Sequence, residues 1–392
     1  MNTFGFNGNG GLNTRVSNLE KSVLEFGLEW NQSTDTYTRL NNALGLSVDN
    51  SSSPHISDFS DYYPWKGIKR CNLNADGTVN AYYGQDGYAD DGSNGNVMVE
   101  IPKFYYKTVY DTTTDNVWRW YVSTIPLNGY ELHPAFKDAG QEKNHIYIGA
   151  YEAYNNVGTL ESKSGVAPTV SQTISTFRTQ AQANATGFCI LDYTSLTAIQ
   201  MLYLVEYGSL YSQNVLSEGI TDNPVTAAQD TGATTSLGNG SGEVVVNDTQ
   251  AMSYRGIENF YGNVWKFIDG ILVKDDGYYF GNSVDDYNDS GTGYLHIDTI
   301  PITTDGYGNN FENLTNFDFA FMVNETSGSS ITYVTDYLYA HDTGEINIAF
   351  LVVIGVMALV RGLSFWVWLM SLLLPLRLLA RDFVLNKQHR RL

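Results

Sequence analysis

Residues 254–270, Tyr-Arg-Gly-Ile-Glu-Asn-Phe-Tyr-Gly-Asn-Val-Trp-Lys-Phe-Ile-Asp-Gly, restrict what this chain can fold into more than any other segment. At their centre Trp265 stands within Gly262-Asn263-Val264-Trp265-Lys266-Phe267. So large an apolar side chain is expected to fill core space. Arg255, Glu258 and Asn259 are then expected to satisfy one another's polar groups around it. The role this assigns to the segment is structural, not catalytic.

A chain of 392 residues can bury a sizeable core, as one large domain or two ordinary ones. Lys and Arg total 22 against 42 Asp and Glu, a net charge of −20, which argues against a nucleic-acid partner because a phosphate backbone would be repelled. The charge is uneven: residues 361–392 hold six basic residues and one acid, Asp382, so residues 1–360 carry 16 basic against 41 acidic side chains. Tyrosine is abundant at 28 residues, alongside Gly, Asn, Ser and Thr, which is the palette of adaptable binding surfaces and also of half-buried strands. Cys71 and Cys189 form neither a C-x-x-C nor a metal spacing and read as small buried residues, with a disulfide allowed but not implied. Met1-Asn-Thr-Phe-Gly-Phe lacks the basic start and apolar run of a secretory signal, so Sec-type export is not expected. Delivery within a virion or by cell lysis is compatible with that.

Along the chain, residues 1–11 are Gly/Asn-rich and read as a flexible N-terminus. Leu12, Val16, Leu19, Val23 and Phe26 follow at spacings of 4, 3, 4 and 3, a short heptad stripe that either seeds a coiled-coil trimer or docks as a lone amphipathic helix. Residues 12–50 thus read as a short stalk and β-type connector, and 51–57 as a linker containing Ser51-Ser-Ser-Pro54. From Asp58 short strands alternate with Gly, Asn and Asp; the clearest are Val97–Tyr106, Arg119–Val122 and Ile146–Tyr151. Two helices are predicted, one over Ser171–Ala183 and one over Leu196–Tyr207 with Thr194-Ser195 as its cap. Residues 208–250 read as an exposed polar loop.

Gly262-Asn-Val-Trp-Lys-Phe267 resembles the Gly-Asn-Val-Trp-Glu-Trp signature of the formylglycine-generating-enzyme branch of the C-type-lectin-like fold. Val97-Met-Val-Glu-Ile-Pro-Lys-Phe-Tyr-Tyr106, Leu132-His-Pro-Ala-Phe136, Ile148-Gly-Ala-Tyr-Glu152, Ile174-Ser-Thr-Phe-Arg178 and Ala198-Ile-Gln-Met-Leu-Tyr-Leu-Val-Glu-Tyr-Gly-Ser209 resemble phage tail-fibre and retroelement variable proteins. The resemblance spans roughly residues 58–350, and Trp30–Leu46 is similar to the stalk side of such proteins. It implies an α+β, C-type-lectin-like head with short strands, two central helices and long loops, behind a short helical stalk. It also implies a binding surface beginning around Tyr333, Asp336, Tyr337, Tyr339 and His341, although these residues on their own read equally well as an ordinary surface strand.

After Phe350 the composition changes. Leu351–Val360 leads through Arg361-Gly362 into Leu363–Pro375, then a basic end. Read literally, residues 351–392 are a membrane anchor, since about 20 apolar residues span a bilayer, with the basic end cytoplasmic. Arg361 opposes this, costing about 2.5–3.5 kcal/mol at the bilayer centre. A second reading is a one-base frameshift near codons 350–352. Read one base back, Val352-Val-Ile-Gly-Val-Met-Ala358 can spell Gly-Gly-Asp/Asn-Trp-Gly, the Gly-Gly-x-Trp ending that the resemblance leads one to expect, and Asn386-Lys387 can supply a stop.

Catalytic patterns are absent from the sequence. The copper site of the oxidase branch needs a cysteine pair near the C-terminus, and no cysteine follows Cys189. His133, His145, His296 and His341 lack a second ligand at metal spacing, and Asp285-Asp-Tyr-Asn-Asp289 lacks the Gly and terminal Glu of a calcium loop. The chain is therefore expected to be non-enzymatic, with no cofactor and no metal. The expected function is that of a phage tail-fibre or adhesin-type protein, a homotrimer in the virion tail among other tail proteins, binding a host cell-surface receptor, protein or glycan. The alternative is a membrane-anchored surface binding protein with the same head; an oxidase stands last.

Overall fold

The computed structural model describes residues 24–113, 116–221, 228–299, 301–338, 340, 344–351 and 358–360. Residues 1–23, hence the N-terminus expected to be flexible and all of the heptad stripe but Phe26, lie outside them, as do Tyr339, His341 and the tail from Arg361.

Four antiparallel sheets carry the architecture. The first is built from β1 (Glu25–Asn31), β2 (Thr36–Asn41), β6 (Tyr105–Asp111), β7 (Val117–Ser123) and β8 (Glu131–Leu132), in the order β8-β6-β7-β1-β2. A four-stranded sheet, β9-β5-β3-β4, comprises β3 (Lys69–Leu73), β4 (Val79–Tyr82), β5 (Asn96–Pro102) and β9 (His145–Gly149). Next comes a three-stranded sheet of β10 (Gly242–Val246), β11 (Thr249–Tyr254) and β12 (Ile257–Glu258). The last joins β13 (Lys266–Lys274), β14 (Gly277–Phe280), β15 (Leu295–Ile297), β20 (Asn347–Leu351) and β21 (Ala358–Val360), ordered β15-β14-β13-β20-β21. Between β15 and β20, four short strands form two ladders: β16 (Gly306–Tyr307) with β19 (Tyr337–Leu338), and β17 (Asn310–Phe311) with β18 (Val323–Glu325).

Three α-helices occur among the described residues: α1 (Ile174–Gln182), α2 (Tyr193–Tyr207) and α3 (Ser212–Val215). α2 is buried over almost its whole length with no side left to solvent, as befits a helix enclosed by sheets, and its few buried polar groups, such as Glu206, are paired. It packs against β1 and β7 of the first sheet and β13 of the last. Its Asp192 N-cap accepts the Ser195 N–H at 2.7 Å, and Gly208 ends it at φ 66°, donating its N–H to Leu204 O. Arg39 of β2 donates to the carbonyls of Val205 and Glu206, satisfying the helix C-terminus with a cation. α1 lies to the side, against the short strand Thr159–Glu161, with Ile174 on Leu272 and Ile348.

These observations correct the expected fold class. Among the described residues strand accounts for 35% and helix for 14%, so they form a mainly β structure, a set of small antiparallel sheets with one enclosed helix, and not an α+β C-type-lectin-like head with two central helices. Many of the strands are only two or three residues long, too short for an alternation to stand out in sequence. Residues 25–49, read as stalk and connector, supply β1 and β2 to the first sheet, with Phe26 buried in β1 and not on a helix stripe. Residues 208–250 contain α3 and β10 and bury Leu210, Leu216 and Thr234.

Candidate ligand-binding surface

The surface is built on a ladder of aromatic rings. On one face of the first sheet, Trp30 of β1 stands opposite Trp118 of β7, and Tyr110 of β6 opposite Trp118. Trp118 and Trp120 stack at 5.9 Å and 8°, and Tyr110 lies on Trp118 at 4.3 Å. A cross-strand aromatic pair such as Tyr110–Trp118 adds about 0.5–1.5 kcal/mol beyond area burial. Phe311 of β17 meets Trp30, Trp118 and Trp120 edge-on at 5.9–6.3 Å, and Phe321 covers Trp120. Polar bonds fix the register: Trp118 Nε1 donates to Asn310 Oδ1 (3.1 Å), Gln32 Nε2 to Asn309 O (3.0 Å) and Tyr106 Oη to Asp318 (2.7 Å). The loops between β16 and β19 are thus held from beneath by the sheet.

Their outer side carries two of the three sequence-predicted residues that the structure describes, Tyr333 and Tyr337. Tyr333 sits at φ 59°, a left-handed backbone that costs a tyrosine roughly 1–2 kcal/mol. It is held there by Asp35, whose carboxylate accepts both the Tyr333 N–H (3.2 Å) and Trp30 Nε1 (2.9 Å), and by its ring against Trp30. Tyr337 pairs with Tyr307 across the β16–β19 ladder, the rings edge to face at 5.1 Å and both half-buried. Asp336 is buried and does not face outward with them. Beside them Ile331 is 72% exposed, between Ser329 and Thr332, whose hydroxyls bond at 2.7 Å. Asn309 reaches Glu325 and Ser327 on the same rim. Ala340 N–H is held by Asp305 and Gly344 N–H by both oxygens of Asp275.

The 254–270 segment does not form the expected mutual cluster. Arg255 turns to α2 and grips Glu206 through two bonds of 2.6 and 2.7 Å, with Tyr254 and Ser57 completing the carboxylate. Glu258 instead accepts the N–H groups of Gly232 and Thr234, and burial pushes its carboxyl up from the usual range. Asn259 exchanges bonds with the Met252 backbone. Trp265 is only half-buried. Gly262, at φ 81°, has no room for a Cβ against Ile220, and Asn263, also left-handed at φ 57°, ties Glu152 to Gln229. Lys266 closes on the same Glu152 at 2.6 Å. The segment is a polar knot between strands, and Glu206, Glu152 and Thr234 are partners that no local sequence pattern reveals.

Other expected candidates fall elsewhere. His133 is fully buried among Phe104, Tyr106, Phe136 and Phe319, its Nδ1 accepting the Ala135 N–H at 3.3 Å, and burial holds it neutral down to about pH 3. Asp289 pairs with Arg178 while Asp285 and Asp286 are exposed. Cys71 and Cys189 are free thiols. Among the described residues no three His, Cys, Asp or Glu side chains are grouped to hold a metal ion, and no helix is long and apolar enough to cross a membrane.

Tyr307, Ile331 and Asn309 were not singled out in the sequence. Their signal was the Tyr/Ser/Asn-rich composition of 303–333, which is as frequent elsewhere in the chain. Neither protein-family models nor curated proteins yield a match to this chain.

Proposed function

We propose that this chain is a receptor-binding protein of the phage tail-fibre or adhesin type, attaching to a host cell-surface molecule without catalysis. The observation that carries the reading is the rim of Tyr307, Ile331, Tyr333 and Tyr337 on loops seated on the tryptophan ladder. Rigid aromatic and small polar residues on anchored loops suit recognition with little ordering cost. The resemblance of the sequence to tail-fibre and retroelement variable proteins supports the same reading. Display in several copies, a trimer if the heptad stripe assembles, would multiply weak contacts.

The test is adsorption of the fluorescently labelled full chain to a panel of bacterial strains. Ile331→Asp and Tyr337→Ala are expected to lower adsorption at least tenfold on the strain that binds, with the thermal unfolding midpoint unchanged. Retention of full adsorption by both folded variants would refute this surface. Adsorption to none of the strains would count against the function itself.

A further inference from the structure

The outer face of the four-stranded sheet carries side chains that neither the core nor the loop rim uses. β5 turns Met98, Glu100 and Pro102 outward, opposite the inward Val97, Val99 and Ile101. Tyr147 of β9 stands opposite Glu100 on one side, and Lys69 of β3 on the other. Tyr82 of β4 reaches across from its place opposite Cys71. Its hydroxyl and that of Tyr147 both donate to the same oxygen, Glu100 Oε2, at 2.9 and 3.0 Å. Glu100 Oε1 receives no hydrogen bond among the described residues. Lys69 is exposed, its ammonium 5.9 Å from the Tyr82 ring centroid, and His145 is exposed beside Tyr147. Tyr63, 51% exposed, adjoins Pro102 where both crowd Gly67.

Two hydroxyls on one oxygen orient the carboxylate and leave its other oxygen as a fixed, charged acceptor. An ammonium donor stands on the next strand, and half-buried tyrosine rings flank the pair. We propose that this face is a second binding surface, for a neutral saccharide: hydroxyls donate to Glu100 Oε1, another accepts from Lys69, and sugar C–H groups rest on Tyr147 and Tyr63. Charge complementarity selects this class. The net charge of −20 repels anionic glycans and lipid headgroups, and within the face Lys69 stands opposite Glu100 and balances it, leaving no net local charge for a charged ligand to match. An uncharged ligand carrying both donors and acceptors uses both charged groups at once. Met98 and Pro102 are the aliphatic side chains turned outward on β5, and the remaining apolar area is tyrosine ring, the kind of surface on which sugar C–H groups stack. The inference stands apart from the loop rim and does not need it to be the receptor site.

The experiment is binding of the full chain to immobilised cello-, manno-, xylo- and galacto-oligosaccharides, with a sialylated glycan and serum albumin as controls. At least one neutral oligosaccharide is expected to bind, with Kd raised tenfold or more by Glu100→Gln and by Tyr147→Ala. Tyr82→Phe, which only frees the carboxylate, should weaken it less, and Ile331→Asp not at all. Failure to bind any neutral oligosaccharide at millimolar concentration overturns the proposal. So does equal binding by Glu100→Gln and the parent, or binding to albumin as strong as to sugar. Glu100→Gln is nearly isosteric, so it carries the test should Tyr147→Ala not fold.

Discussion

Arg255 and Glu206 are the residues at which one substitution should matter most. Their side chains are 7% and 1% exposed and joined by two short bonds, so removing one leaves the other charged and buried. Arg255→Ala is expected to lower unfolding free energy by about 3–5 kcal/mol, and Arg255→Met with Glu206→Leu to recover most of that, both read from urea denaturation. His133 sets a pH dependence of known sign. It is a base whose folded pKa is depressed to about 3 from the ordinary 6.5, because burial disfavours its cation. The stability it protects is complete above pH 6.5 and is lost as pH falls toward 3, on the order of 4–5 kcal/mol in all. Denaturation midpoints at pH 7 and 4.5 should differ by less in His133→Asn, which keeps an acceptor for the Ala135 N–H but does not titrate. Residue roles were only partly legible. That Arg255 and Glu258 need partners follows from their charge. That the partners are Glu206 and the Gly232–Thr234 turn follows from strands and a helix meeting far from them in sequence.

Among the elements, α2 was the most legible. Its apolar run is long enough to exceed any strand here, and Gly208 stops it. Its start was placed at Thr194-Ser195 because both are good caps, yet Asp192 takes that position, its Oδ1 reaching the Thr194 hydroxyl and the Ser195 N–H. Asp192→Ala is expected to cost about 2 kcal/mol. Asp192→Asn, which still accepts both bonds and avoids burying a carboxylate whose pKa burial raises, should cost less than half of that by the same denaturation assay. Strands were legible where six or seven residues alternate, as in β5 and β7, and illegible where two or three pair, as in β12, β16 and β19. For these, pairing is chosen by the surface already in place and not by their own pattern.

For the whole molecule, β20 pairs with β13, a strand whose other edge holds β14. A chain ending at Ile346 is therefore expected to lose cooperative thermal unfolding, followed by circular dichroism. The two readings of the tail are separated by resequencing the template across codons 345–392: a one-base lesion restoring Gly-Gly-x-Trp makes the apolar run an artefact, and an intact frame leaves the anchor. The sequence alone determined the net negative charge, the shortage of catalytic and metal-binding patterns, the presence of the α2 helix and the longer strands. Each of these depends on composition or on periodicity within a dozen residues. Only the tertiary structure decided that sheets dominate, that residues 25–41 belong to the first of them, and that Tyr333 is clamped by Asp35. It likewise decided that Glu100 receives two tyrosines. These outcomes rest on contacts between distant segments, whose energies compete only after the chain has folded back on itself.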